Sequence, residues 1–233
     1  NFLERGVRLL KGARATSIDT TVDGITVNCD DGRIVQGSHA LLAVGSVPNS
    51  DGLGLENAGV VTKWGYVEVD GDCRSSVSHI FAAGDLSGKL PLSSVASMQG
   101  RKIAETLMGR ATHGHNRVDY DKAASAIFTE PEIADVGLAE ADAFAMGRKV
   151  RVTKVPFTTS AKALINDDPR GFIKIISDPA TGEVLGGSIV GRHAAELISV
   201  ISLAVTASLT VRDVYDSLLV HPTLSELISD AAE

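Results

Sequence analysis

The chain has 233 residues and a formal net charge of −7, with 44% hydrophobic and 22% charged residues. This composition is typical of a globular protein and excludes a disordered or fibrous chain. No run of Lys or Arg exceeds two residues, so no nucleic-acid-binding surface is expected. Charged and hydroxyl residues interrupt the longest apolar stretches, so no membrane span is predicted.

The two cysteines, Cys29 and Cys73, are far apart in sequence and belong to no Cys-x-x-Cys motif. We interpret them as reduced thiols of a cytoplasmic protein rather than as a disulfide scaffold. His113, His115 and His193 have no second ligand at metal-binding spacing and are predicted as surface residues, so no metal site is expected. The sequence has neither an initiator Met nor a signal peptide, and we expect it to begin inside a domain.

The first part of the chain is predicted to be mostly β-structure. Strands are expected at Val7–Ser17, Gly24–Cys29 and Ile34–Gln36. The continuous apolar run Ala40–Val44 predicts a buried strand, and it ends at Gly45 in a loop rich in turn-forming residues.

A second apolar strand is predicted at Ile80–Ala83, where Gly84 and Asp85 stop it. Ser93–Met108 has helical periodicity. The polar stretch Arg110–Tyr120 is interpreted as the linker to another domain.

The remaining residues combine the two periodicities. Strands are predicted at Ala123–Phe128, Val150–Pro156, Gly171–Ser177 and Val184–Val190. Helices are predicted at Leu138–Ala145, Ala194–Ser208 and Val211–Ser217, and in a terminal helix that begins at Pro222. Strands grouped with helices after them predict an α+β domain with an antiparallel sheet.

The Gly84-Asp85 pair at the end of an apolar strand is a candidate ligand site. Glycine allows a ligand to approach the backbone closely, and a carboxylate accepts hydrogen bonds from ligand hydroxyls. The helix that follows begins near Leu92 and Ser93, where unpaired N–H groups favour a negatively charged group. For an isolated Gly-Asp pair a simple turn cap is the better interpretation, and the alternative for the helix is an ordinary amphipathic one.

The string from Val220 to Glu226 carries the strongest chemical signal. A carboxylate on one nitrogen of His221 fixes the imidazole tautomer and frees the other nitrogen for proton transfer. Glu226 is close enough in sequence to supply that carboxylate. A lone His in this position would otherwise be interpreted as a polar helix cap.

Taken in order, these motifs resemble the pyridine nucleotide–disulfide oxidoreductases over nearly the whole chain. Further matching segments are Leu53–Val60, Phe128–Gly137, Leu185–Gly187 and Ala195–Ile198. The resemblance implies that residues 1–50 end an NAD(P)-binding domain, that 51–118 form a central FAD-contacting domain and that 119–233 form a dimerisation domain. It implies FAD and NAD(P)H as cofactors and a homodimer as the assembly.

The resemblance also assigns roles to individual residues. His221 and Glu226 correspond to the family's acid–base pair, which acts across the dimer in the partner subunit's site. Contacts to the cofactor are implied for Gly45, Gly84, Asp85, Leu92 and Ser93. Several positions depart from the lipoamide dehydrogenase pattern: Ser94 and Leu219 replace His, and Gln99 replaces Glu. Ser46 stands where many family members have Arg.

The predicted function is therefore part of an FAD-dependent oxidoreductase that passes electrons from NAD(P)H to a disulfide. A quinone reductase or a soluble transhydrogenase on the same scaffold is the alternative. A non-catalytic dimerisation module is a further alternative. The chain carries no Cys-x4-Cys and no dinucleotide-binding Gly-x-Gly-x-x-Gly, and we expect it to be inactive alone.

Overall fold

The computed structural model describes residues 2–110 and 117–233, so the predicted surface positions of His113 and His115 lie outside the described residues. By its internal contacts the chain divides into two compact units, residues 1–47 and 48–233. In the described part, no helix has the length and apolar character needed to cross a membrane.

The first unit is built around a three-stranded antiparallel sheet, β1 (Ala15–Thr21), β2 (Gly24–Cys29) and β3 (Ile34–Gly37), in that order. β2 and β3 lie where the sequence predicted them. The strand predicted at Val7–Ser17 is wrong in its bounds, because a turn at Lys11 and Gly12 precedes the β-branched residues that pair with β2.

The buried strand predicted at Ala40–Val44 is wrong. The segment forms no strand, and the side chains of Leu41 and Val44 are about nine-tenths exposed, at 91% and 90%. A fully apolar strand needs neighbouring strands and covering helices on both faces. The described residues of this unit supply neither.

The second unit begins with a small hairpin, β4 (Thr62–Lys63) and β5 (Tyr66–Val67). A 3₁₀ turn over Gly84–Ser87 and the helix α1 (Ser93–Leu107) follow, so the helix predicted at Ser93–Met108 is confirmed. The strand predicted at Ile80–Ala83 is reduced to one bridge between Arg74 and Phe81. Local core contacts hold this segment instead, and its buried members are Val60, Val67 and Ala82.

A five-stranded antiparallel sheet dominates the rest of this unit, which confirms the predicted α+β class. Its strand order is β6-β7-β10-β9-β8. The strands are β6 (Ser125–Ile127), β7 (Glu132–Gly137), β8 (Arg151–Pro156), β9 (Gly171–Ser177) and β10 (Val184–Gly191). Two short helices, α2 (Glu140–Ala145) and α3 (Ala161–Ile165), interrupt the strand sequence.

Three further helices follow the sheet: α4 (Ala194–Thr206), α5 (Val211–Tyr215) and α6 (Glu226–Ala232). The core between sheet and helices is apolar and includes Phe157, Ile173, Ile189, Ile201 and Ile228, all at most 1% exposed. The helix predicted at Ala194–Ser208 is strongly apolar. In the structure most of its apolar face is covered by the same chain's sheet, although Leu203 stays exposed.

The terminal helix does not begin at Pro222 as predicted. It begins at Glu226, because residues 223–225 form a turn held by their own polar groups. The Thr223 hydroxyl donates to the carbonyl of Val220, and the Thr223 N–H donates to the Glu226 carboxylate. The bond from the Thr223 N–H to a carboxylate three residues later is of the type that caps a helix start.

Candidate functional site

The Gly84-Asp85 pair lies in the 3₁₀ turn that precedes α1. Gly84 has φ +73°, a backbone conformation that glycine adopts without the steric cost of a side chain. Asp85 is exposed, and its side chain makes no hydrogen bond within the described residues. A ligand hydroxyl could therefore donate to this carboxylate without displacing an internal partner.

The N-terminus of α1 is the second element of this region. Leu92 is its N-cap residue and provides no side-chain hydrogen bond, and Ser93, the first helical residue, is exposed. The first-turn N–H groups and the positive end of the helix dipole are thus left for an electron-rich ligand group.

One buried side chain joins the turn to the helix. The Oε1 atom of Gln99, on α1, accepts a hydrogen bond of 2.6 Å from the Gly84 N–H. Its Nε2 atom donates to the hydroxyls of Ser87 and Tyr120 at 3.1 and 2.9 Å. The sequence analysis had singled out Gln99 only as a departure from a family pattern. The available signal was a polar residue one turn after Val95, on the buried face of the helix.

Gly45 lies in the first compact unit, whereas the other predicted site residues lie in the second. Its φ is +105°, and a Cβ at this position would meet no atom within 4 Å. The Gly45 backbone is therefore open, and its predicted cofactor contact stays a prediction.

The structure brings His221 into contact with Glu226, the first residue of α6. The His221 Nδ1 atom lies 2.8 Å from the Glu226 Oε1 atom, and the second carboxylate oxygen accepts the Thr223 N–H at 2.8 Å. The His221 side chain is 73% exposed. Nothing among the described residues bonds its Nε2 atom.

The electrostatics of this pair determine its tautomer. The Thr223 N–H and then the His221 ring lower the pKa of the Glu226 carboxyl below its ordinary value. Glu226 is therefore ionised at neutral pH and can only accept a hydrogen bond, which leaves the proton on Nδ1. The Nε2 atom of the neutral ring then carries the free lone pair of a general base.

The surface next to His221 is apolar. Leu218 is fully exposed and Val220 is 73% exposed, and Tyr215 is also exposed. A patch of this kind around a polar group is typical of a protein interface.

His193 is not isolated from other possible metal ligands, contrary to the sequence analysis. Its ring nitrogen and the carboxylates of Glu132 and Glu196 offer atoms within 4.8 Å of one another. Spacing along the chain could not reveal this cluster, because Glu132 lies on β7, about 60 residues before His193, and meets α4 only in the folded protein. Glu132 accepts the Ala195 N–H, and Arg192 donates to the His193 ring, so internal hydrogen bonds account for the arrangement.

Two family descriptions match the chain. "Pyridine nucleotide-disulphide oxidoreductase" matches residues 1–100, and "Pyridine nucleotide-disulphide oxidoreductase, dimerisation domain" matches residues 123–232. Among curated proteins, an NAD(P)H dehydrogenase (quinone) of Mycobacterium tuberculosis is 42% identical over 233 residues, 100% of this chain and 47% of that protein. A dihydrolipoyl dehydrogenase of Chlamydia muridarum is 36% identical over 99% of this chain and 49% of its own length.

Solved structures agree with these relationships. LpdA from Mycobacterium tuberculosis is 43% identical with a TM-score of 0.93, and the match covers 99% of this chain and 50% of that one. The HOCl-induced flavoprotein disulfide reductase RclA from Escherichia coli is 25% identical with a TM-score of 0.87, over 98% of this chain and 52% of that one. The chain thus spans about half the length of the relatives that it matches. It belongs to the pyridine nucleotide-disulphide oxidoreductase family.

Proposed function

We propose that this chain forms part of an FAD-dependent oxidoreductase that passes electrons from NAD(P)H, through the flavin, to a disulfide. The observation that carries the choice of acceptor is the 2.8 Å contact between His221 and Glu226. Reduction of a disulfide to two thiols requires protons, and an exposed imidazole with a fixed tautomer can take and return one.

Gly84, Asp85 and the start of α1 fit a bound FAD. The carboxylate of Asp85, which has no hydrogen-bond partner among the described residues, suits the hydroxyls of a ribityl chain. The first turn of α1 near Leu92 and Ser93 suits an electron-rich ring edge. When bound, FAD supplies two-electron redox chemistry that no side chain of this chain provides. The chain's own contribution here is binding and orientation.

The proposed role of His221 is proton transfer at a thiol. In disulfide reduction the protonated ring donates a proton from Nε2 to the thiolate that the acceptor releases, and the ionised Glu226 stabilises the imidazolium before this transfer. In the reverse direction Nε2 removes a proton from one thiol of the pair. Glu226 orients the imidazole throughout and does not itself change protonation at neutral pH.

The exposure of this dyad supports a homodimer in which His221 serves the partner subunit's site. Leu218 and Val220 would be covered in such an assembly, together with other exposed apolar side chains of residues 119–233. An obligate interface of this kind should bury more than roughly 2,000 Å² in total.

A quinone acceptor is the second candidate. Ser94 and Gln99 stand where lipoamide dehydrogenases resembling this chain typically have His and Glu. A relative 42% identical to the chain is named an NAD(P)H dehydrogenase (quinone). Quinone reduction has no obligatory proton transfer at the position of His221, so the dyad alone favours the disulfide.

The test uses the complete protein that contains this sequence, purified with its bound small molecules. We expect a yellow protein with flavin absorbance near about 450 nm. NAD(P)H oxidation is then measured with a lipoamide-type disulfide and with a quinone in parallel. A colourless protein that takes up no added FAD would overturn the flavoprotein assignment, and turnover with the quinone alone would replace the disulfide with the second candidate.

A further inference from the structure

Gln99 is a buried polar residue whose side-chain amide is fully hydrogen-bonded. Its side chain is fully buried, with 0% exposure. Burying an amide destabilises the fold unless each of its polar atoms has a hydrogen-bond partner. Here the pairing is complete: Oε1 accepts from Gly84, and the two Nε2 hydrogens go to Ser87 and Tyr120.

The donors and acceptors permit a single orientation of this amide. The Gly84 N–H is only a donor, so the amide oxygen must face it. The Ser87 hydroxyl already donates to the Gly84 carbonyl at 2.7 Å, so it accepts from Nε2. Both backbone groups of Gly84 are therefore hydrogen-bonded within the turn that carries Asp85: its N–H to Gln99 and its carbonyl to Ser87.

The same amide extends the connection beyond the turn. The Tyr120 hydroxyl, which interacts electrostatically with the Cys73 thiol, accepts from Gln99. Burial, the largest cause, raises the pKa of both the Cys73 thiol and the Tyr120 hydroxyl, so both groups are neutral near pH 7. Tyr120 lies at the start of the segment predicted as the dimerisation domain. The network thus joins three separate segments of the unit through neutral hydrogen bonds.

We propose that Gln99 is a positioning residue that holds the Gly84-Asp85 turn against α1, and that this contact sets how firmly the protein retains its flavin. The inference deepens the proposed FAD site and rests on it. Gln99 acts through Gly84 and Ser87 and has no predicted contact with the flavin itself. Losing it frees the Gly84 N–H and lets the turn that carries Asp85 shift relative to α1.

A glutamate at this position would keep only part of the arrangement. Its carboxylate still accepts the Gly84 N–H, but it offers no hydrogen to Ser87 or Tyr120. Both hydroxyls must then turn and donate to it, and Ser87 loses its bond to the Gly84 carbonyl. We therefore expect Gln99→Glu to restore part of the flavin retention that an apolar residue of the same shape abolishes.

The experiment measures FAD dissociation from the complete holoprotein: after a large dilution the protein is removed by filtration at intervals, and the flavin fluorescence of each filtrate gives the amount released. The decisive variant is Gln99→Met, which keeps the volume and removes all three hydrogen bonds. We expect its dissociation rate to rise about tenfold or more, because an N–H is left without a partner. Tyr120→Phe, which spares the Gly84 contact, should change the rate by no more than about threefold.

Val60→Ala is the matched control. Val60 is buried in the small apolar core that includes Ala82, two residues before Gly84, and its side chain cannot form a hydrogen bond, so its truncation loosens local packing without removing a hydrogen bond of the turn. It should lower the melting temperature while leaving FAD dissociation near the wild-type rate. Equal acceleration in Val60→Ala and Gln99→Met would show general loosening and overturn the inference, as would wild-type dissociation in Gln99→Met. A wild-type protein that holds no flavin would overturn the proposed function as well.

Discussion

The second compact unit contains two polar groups of opposite character. The group around Gln99 is enclosed, and each of its hydrogen bonds ends on another atom of the same chain. The dyad of His221 and Glu226 is exposed, and one imidazole nitrogen has no partner among the described residues. The first arrangement fixes the orientation of a side chain, and the second leaves an imidazole nitrogen accessible to a reacting group.

This difference follows from what each group has to do. A positioning contact gains from burial, because a hydrogen bond in a low-dielectric environment is stronger and a broken one costs more. A proton-transfer group must reach its reaction partner and must exchange protons, so it cannot be enclosed by its own chain. The apolar surface at Leu218 and Val220 suggests how the dyad is shielded from water when the protein assembles.

Removal of the exposed imidazole should have the largest effect on turnover. In the complete protein, His221→Ala should lower kcat/KM for a lipoamide-type disulfide by about 10²–10⁴-fold, the usual contribution of a general base. Quinone reduction by NAD(P)H and flavin content should change little, because neither uses this nitrogen.

Steady-state kinetics with both acceptors, in wild type and variant, check this result. Equal losses with disulfide and quinone would assign His221 a structural role. Leu219→Ala, two residues before His221 and outside the dyad, is a suitable control for disturbance of the local backbone.

Substitution in the buried group around Gln99 should lower the stability of the fold, whereas substitution of the exposed His221 should not. Gln99→Met leaves the Gly84 N–H unpaired and should lower the free energy of unfolding by about 1–3 kcal/mol. His221→Ala, at an exposed position, should change it by no more than about 0.5 kcal/mol. Chemical denaturation of both variants at one protein concentration makes the comparison, and a larger loss for His221→Ala would reverse the distinction drawn between the two groups.

Local signals were sufficient for several elements. The bounds predicted for helix α1 and for the hairpin of β9 and β10 agree with the structure to within a few residues. In that hairpin the Asp178 carboxylate accepts the N–H groups of Ala180 and Thr181, which is the turn chemistry that the sequence indicates. The dyad was also predictable, because its two members are five residues apart.

Elements that depend on distant partners were not predictable. Ala40–Val44 and Ile80–Ala83 are apolar enough for buried strands, but a strand exists only where another strand pairs with it. The start of α6 was misplaced because the polar groups of Thr223 and Glu226 form a capping arrangement ahead of the helix, several residues after Pro222. The Gln99 network was missed because Tyr120 lies 21 residues away in sequence, in a stretch interpreted as a linker.

The smallest effect is expected from neutralising the carboxylate of the dyad. Glu226→Gln keeps an oxygen that can accept from His221, but it replaces a charge-assisted hydrogen bond with a neutral one, a change worth roughly fivefold in rate. The variant should therefore lose about fivefold in kcat/KM for the disulfide and nothing with the quinone. The amide can also turn its NH₂ towards the ring, and the resulting shift of tautomer acts in the same direction.

The pH dependence of stability gives an independent check on the same carboxylate. Because the pKa of Glu226 is lower in the folded chain than its ordinary value of 4.5, its ionised form stabilises the fold. That contribution is fully present above pH 4.5 and is lost as the pH falls through the lower, folded value. The melting-temperature difference between wild type and Glu226→Gln should thus shrink as the pH falls below about 4.5. A difference that stays unchanged across that range would mean that Glu226 is not held as the anion on which the tautomer of His221 depends.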